Sequence, residues 1–100
     1  MSGSSEPAGS LEVALAHAAR LLEVDPALAA EQAQEILKAI PHHPLAVLLL
    51  ATAYRRAGNP AAALQVLEPL LGEQPRWAAA HFEHGLALGS RLAACRGGPS

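Results

Sequence analysis

His81, Glu83 and His84 fall on one short stretch of the chain, and His42-His43 form a second imidazole pair. Metal binding is the first chemistry such a set suggests. Zinc needs three or four ligands that converge on one point. The zinc-protease helix places its two His at i and i+4 with Glu after the first. Here His81 and His84 are at i and i+3 with Glu83 between them, so no metal site and no cofactor are expected. Cys95 is the one thiol. A catalytic thiol needs a neighbouring base and an oxyanion site, and neither is signalled, so Cys95 reads as an ordinary thiol and the chain as no enzyme. Gly97-Gly98 is followed by Pro99 rather than by a helix, which rules out a phosphate loop. Arg55-Arg56 can pair with a partner carboxylate. An exposed Arg pair at a helix end also complements the helix dipole, and that reading is preferred. Trp77 reads as a packing residue rather than a binding anchor.

Composition narrows the elements that would hold these residues. Hydrophobic residues make up 51% of the chain but aromatics only 3%. The core must therefore be Ala and Leu, the best helix formers, and an all-α domain follows. The net charge of −2 leaves no basic excess for a phosphate backbone, so nucleic acid is not an expected partner. No apolar run is long enough to span a bilayer, and no membrane partner is expected. Residues 1–10 show no basic segment followed by an apolar one, so no secretory signal is visible. A single cysteine suits a reducing compartment. The expectation is a soluble cytoplasmic protein, and the heavy use of Ala, Leu, Pro and Gly suggests a GC-rich bacterial source.

Turn chemistry divides the chain. Residues 1–9 are small and polar and read as a disordered leader. Ser10 is a candidate N-cap for a first helix to about Val24. Asp25 caps a second, with Pro26 at its first position and its end near Ile40. Pro41 to Pro44 make a break. A third helix over residues 45–57 is apolar nearly all round, which predicts burial on two sides. Gly58-Asn59 ends it, and Pro60 starts a fourth helix to about Gly72. Pro69 should kink or shorten its last turn. Gln74-Pro75 repeats the break, and residues 76–94 read as a fifth helix. Residues 10–95 are the domain and 96–100 a flexible tail.

These elements recur at a fixed offset of 34 residues. Asp25-Pro26 matches Asn59-Pro60, Ala29 matches Ala63, and Pro41 matches Pro75. Ala19, Ile36 and Leu37 match Ala53, Leu70 and Leu71. A period of this length marks stacked helix–turn–helix units.

With units counted from Ser10, Pro44 and Ala78, the pattern resembles the tetratricopeptide repeat (TPR) family. The family wants a small residue, an aromatic, Ala and Pro at set places, and the second unit has Ala51, Tyr54, Ala63 and Pro75 there. The first unit keeps Ala29 and Pro41 but carries His17 and Arg20 in place of the small and aromatic residues. The third offers Gly85 and Leu88 and stops before its second helix. The resemblance implies a short TPR-like α-solenoid of about two and a half repeats and five helices. Asn-Pro-Ala-Ala-Ala-Leu and Arg-Trp-Ala-Ala-Ala-His are also similar to the TPR segments that precede sulfotransferase domains in some bacterial proteins.

The family likeness implies a protein–protein interaction module that binds a peptide or helix on its concave face. The alternatives are a non-catalytic N-terminal TPR fragment of a bacterial sulfotransferase-type enzyme, or a structural scaffold. Carried onto this chain, the concave positions are Leu45, Leu48, Thr52 and Arg55, with Phe82 and Leu86 in the third unit. Chaperone-binding TPRs need Lys and Asn where Ala14, Ala18, Leu48 and Thr52 stand, so that ligand is not expected. An apolar groove is, and a self-association contact through Leu45 and Leu48 is its alternative. The fifth helix should pack on the fourth through Phe82 and Leu86. His81, His84, Leu88 and Leu92 should line an open end. There a weak homo-oligomer or another chain would dock, in a contact that weakens as the imidazoles protonate.

Overall fold

A computed structural model describes residues 7–97 of the chain, and the side-chain surroundings of residues 11–92. Of the residues expected to form a leader (1–9) and a tail (96–100), positions 1–6 and 98–100 lie outside the described residues, and 7–9 and 96–97 are helical. The described residues form five helices and no strand: α1 (Pro7–Val24), α2 (Pro26–Ala39), α3 (Pro44–Arg56), α4 (Pro60–Glu73) and α5 (Ala78–Gly97).

The boundaries follow local chemistry. A side chain caps each of the three middle helices just before a proline at the first helical position, where no N–H is needed. The Asp25 and Asn59 side-chain oxygens accept from the Leu28 and Ala62 amides, each at 3.3 Å. His43 does the same work for α3, with Nδ1 accepting from the Ala46 amide at 3.3 Å. Gly58, at φ +91°, closes α3. Its amide bonds to the Arg55 carbonyl and the Asn59 amide to that of Tyr54, the paired bonds of a Schellman turn. The start of α1 and both ends of α5, which runs on to Gly97, differ from expectation, while α4 ends within a residue of its expected limit. α1 begins at Pro7, ahead of Ser10, because proline suits a first helical turn. α5 begins at Ala78, since the Trp77 amide bonds to the Gln74 carbonyl in a turn. α4 runs a full turn past Pro69 to Glu73, so the proline removes one bond without ending the helix.

Consecutive helices pack on one another along the chain, and α1, α3 and α5 also touch in a row. The α2 and α4 backbones stay apart, and Val66 of α4 only reaches the cluster that α2 helps to form. One side of the stack is therefore drawn together and the other splayed, which is the curvature of a solenoid. α3 is central, touching each of the other four, as its apolar sequence requires.

Small residues let the helices approach. Ala29, Ala30 and Ala33 of α2 form one core cluster with Leu50 and Ala53 of α3. Ala51, Ala63, Leu64, Leu67 and Leu70 form the second with Ala80 and Ala87 of α5. Trp77 packs against this second cluster, at the junction where a packing role was expected.

Candidate functional site

The residues expected on the concave face lie on α3 and α5 of the α1–α3–α5 row, and their side chains are not equally available. Leu45 is exposed at the start of α3. Leu48 is half-buried against the second core cluster. Thr52 is half-buried, and its hydroxyl donates to the Leu48 carbonyl at 3.0 Å, so its polarity is spent on its own helix.

Arg55 is not the exposed cation that its place near a helix end suggested. Its guanidinium reaches α5 and holds the Glu83 carboxylate through Nε–Oε2 and through Nη2–Oε1 at 3.4 Å. Glu83 is only 6% exposed and is the buried charged residue of the described core. Only Arg56 of the pair is exposed, with Nη1 at 3.9 Å from Glu23. The Arg55–Glu83 pair escaped the sequence reading because the partners lie 28 residues apart on helices that do not follow one another. The one available signal was spacing: Glu83 falls at i+3 from Ala80 and i−4 from Ala87, on the face α5 buries.

That face also corrects the expected packing of α5. Ala80, Glu83 and Ala87 make it, whereas Phe82 is 69% exposed and Leu86 is exposed too. Small residues win because α5 lies close against α3 and α4, and a Phe ring turned inward would not fit that spacing. Of the residues expected on the concave face, Leu45, Phe82 and Leu86 are exposed and Leu48 is half-buried, while the Arg55 cation is neutralised by Glu83.

At the far side of α5, His81 is exposed and its Nε2 donates to the Pro75 carbonyl at 2.7 Å, tying the helix to the turn before it. His84 is half-buried, and Leu88 and Leu92 are exposed. His42 lies in a left-handed turn with Nδ1 at 3.9 Å from Glu73, while His43 is occupied as a cap. His42, His43 and His81 therefore serve separate local roles. Among the described residues no group of three or more His, Cys, Asp or Glu could hold a metal ion. No helix among them is long and apolar enough to cross a membrane.

A family model described as tetratricopeptide repeat matches residues 8–82, from the start of α1 into α5. No curated protein and no solved structure matches the chain.

Proposed function

The chain belongs to the tetratricopeptide repeat family, and on that premise we propose that it binds a helix or peptide of a protein partner on the concave side. Repeats of this family generally mediate protein–protein contacts. The observation that carries the reading is the row of mutually touching helices α1, α3 and α5, which presents Leu45, Leu48, Phe82 and Leu86 on neighbouring helices. Arg55 and Thr52 line this face as well, but both are engaged within the chain. The ligand is therefore apolar and does not depend on a carboxylate, because the cation that would receive one is held by Glu83. An amphipathic helix fits, with its apolar stripe on Leu48 and Phe82.

A pull-down with mass spectrometry identifies the partner. Leu48→Glu is expected to abolish its retention while the circular dichroism spectrum stays helical. A partner that binds the Leu48→Glu protein unchanged shows that the groove is not the site.

The second reading, an N-terminal segment of a bacterial sulfotransferase-type enzyme, is supported by the two hexapeptide likenesses at residues 59–64 and 76–81 alone. A nucleotide-sulfate site encoded downstream in the same reading frame would favour it. A scaffold without a ligand is the remaining alternative, favoured by independent stability and an empty pull-down. A bacterial cytoplasmic setting belongs to the same proposal: the lone Cys95 supports a reducing compartment, and the heavy use of Ala, Leu, Pro and Gly supports a GC-rich bacterial source.

A further inference from the structure

A groove of about 370 Å³ lies between the C-terminal halves of α2 and α4, over α3. None of Leu45, Leu48, Phe82 or Leu86 lines it, so it is separate from the proposed concave site. All of its walls come from residues 37–73, in the middle of the chain. Leu37, Val47, Leu50, Val66 and Leu70 make an apolar floor, with Leu50 and Leu70 buried and the others half-buried. From Gln65 to Glu73 the α4 wall spans about two turns, roughly 12 Å. Pro41 and His42, in the turn after α2, stand at the Glu73 end. Such a space suits one ring with a short tail and is too short for a length of helix.

Two hydrogen-bond acceptors interrupt this apolar surface. Pro69 lines the groove from inside α4, where it has no N–H to give the Gln65 carbonyl four residues back. That carbonyl lies beside the Pro69 ring without its usual helical partner. The second acceptor is the Glu73 carboxylate. Among the described residues its one ion-pair contact is His42 Nδ1, at 3.9 Å. That gap is too long for a hydrogen bond, so the carboxylate stays open to a donor. The carbonyl is directed toward the C-terminus of α4 and the Glu73 side chain leans back toward its N-terminus, which brings the two acceptors toward each other along the groove.

An aliphatic floor calls for an apolar body, and two acceptors on one wall call for donors at its end. An ammonium carries three N–H donors and a charge opposite to that of Glu73, so one group answers both acceptors. A hydroxyl has a single donor, and a carboxylate is repelled by Glu73. We propose that this groove is a second binding site, independent of the concave one, and that it takes a small primary arylalkylamine. The ring rests on the floor between Leu37 and Leu70, and the ammonium bridges the Gln65 carbonyl and the Glu73 carboxylate.

An NMR titration of backbone amide shifts in the full chain tests this with phenethylamine, set against phenethyl alcohol and phenylpropionate, which keep the ring and change the tail. The amine is expected to shift the amides of Leu37, Val47, Val66 and Leu70 and to half-saturate near ~1 mM, the strength open to so small a ligand. The alcohol should bind about fivefold more weakly, and the carboxylate more weakly still. Glu73→Gln removes the charge alone and should weaken the amine about fivefold while leaving the alcohol unchanged. Pro69→Ala supplies the missing amide to the Gln65 carbonyl and should weaken the amine about threefold, with helicity by circular dichroism retained. An amine that binds no better than the alcohol overturns the proposal, as does the absence of saturable shifts up to about 10 mM. So does a Glu73→Gln or Pro69→Ala protein that holds the amine as wild type does. Shifts confined to α5 and the concave residues also overturn it, because they place the amine at the other site.

Discussion

The α1–α3 contact and the α3–α5 contact are one joint repeated at the 34-residue offset, and they are filled in opposite ways. In the first joint the matching positions are Leu21 and Leu49, both packed on the cluster of Ala29, Ala33 and Leu50. In the second they are Arg55 and Glu83, joined as an ion pair with side chains 19% and 8% exposed. The helix geometry tolerates either. The apolar joint is held by area and is indifferent to small rotations. The ionic joint is directional, and it sets the turn of α5 that leaves Phe82 outside. α1 and α5 thus sit at opposite ends of the stack, one held to it by a greasy seam and the other by a hydrogen-bonded clamp.

The second unit differs from the first in bulk as well. Leu67 and Ala33 are equivalent, and both are fully buried. Leu67→Ala therefore imitates the first unit at a site spaced for the larger side chain. It is expected to cost about 3–4 kcal/mol in urea unfolding, because the cavity cannot collapse fully. A loss under about 1 kcal/mol would mean that the second unit closes as tightly as the first.

Breaking the ion pair should cost slightly less. Glu83→Leu leaves a partly buried guanidinium without its partner, and a loss near 3 kcal/mol is expected. The double replacement of Arg55 and Glu83 by Leu copies the first joint outright and should come within about 1 kcal/mol of wild type, or exceed it. A double variant no more stable than the single one would show that the two joints differ in backbone spacing and not merely in side chains.

Pro69 marks a third difference, since α2 carries Glu35 at the matching place. Pro69→Glu restores an amide that can donate to the Gln65 carbonyl. A gain of about 1 kcal/mol is expected in the same unfolding assay. No gain would mean that α4 has already relaxed around the proline.

The smallest effect is one the two units share. Asp25→Ala and Asn59→Ala each remove an equivalent N-cap bond, and each should lower stability by about 1 kcal/mol. A clear inequality between them in thermal melts would show that the caps differ in environment despite their equal 3.3 Å contacts.

Five helices, their order and most of their ends were legible in the residues alone, because those signals act within one turn. A capping side chain, a proline at the first helical position and Gly58 in the left-handed region each reach only a few residues along the chain. His43 as a cap was harder to see, since an imidazole is less common in that role than Asp or Asn, although its place before Pro44 matches Asp25 and Asn59. The repeat offset was equally direct, being a relation of the sequence to itself. What only the tertiary structure decided lies across helices. It placed Glu83 against Arg55, turned Phe82 to solvent, and gave His81 to the Pro75 carbonyl rather than to an open interface. Helical periodicity says which residues share a face but not how a helix is rotated against neighbours far away in the chain. That rotation is settled by which small residues allow close approach and by which charges find a partner there.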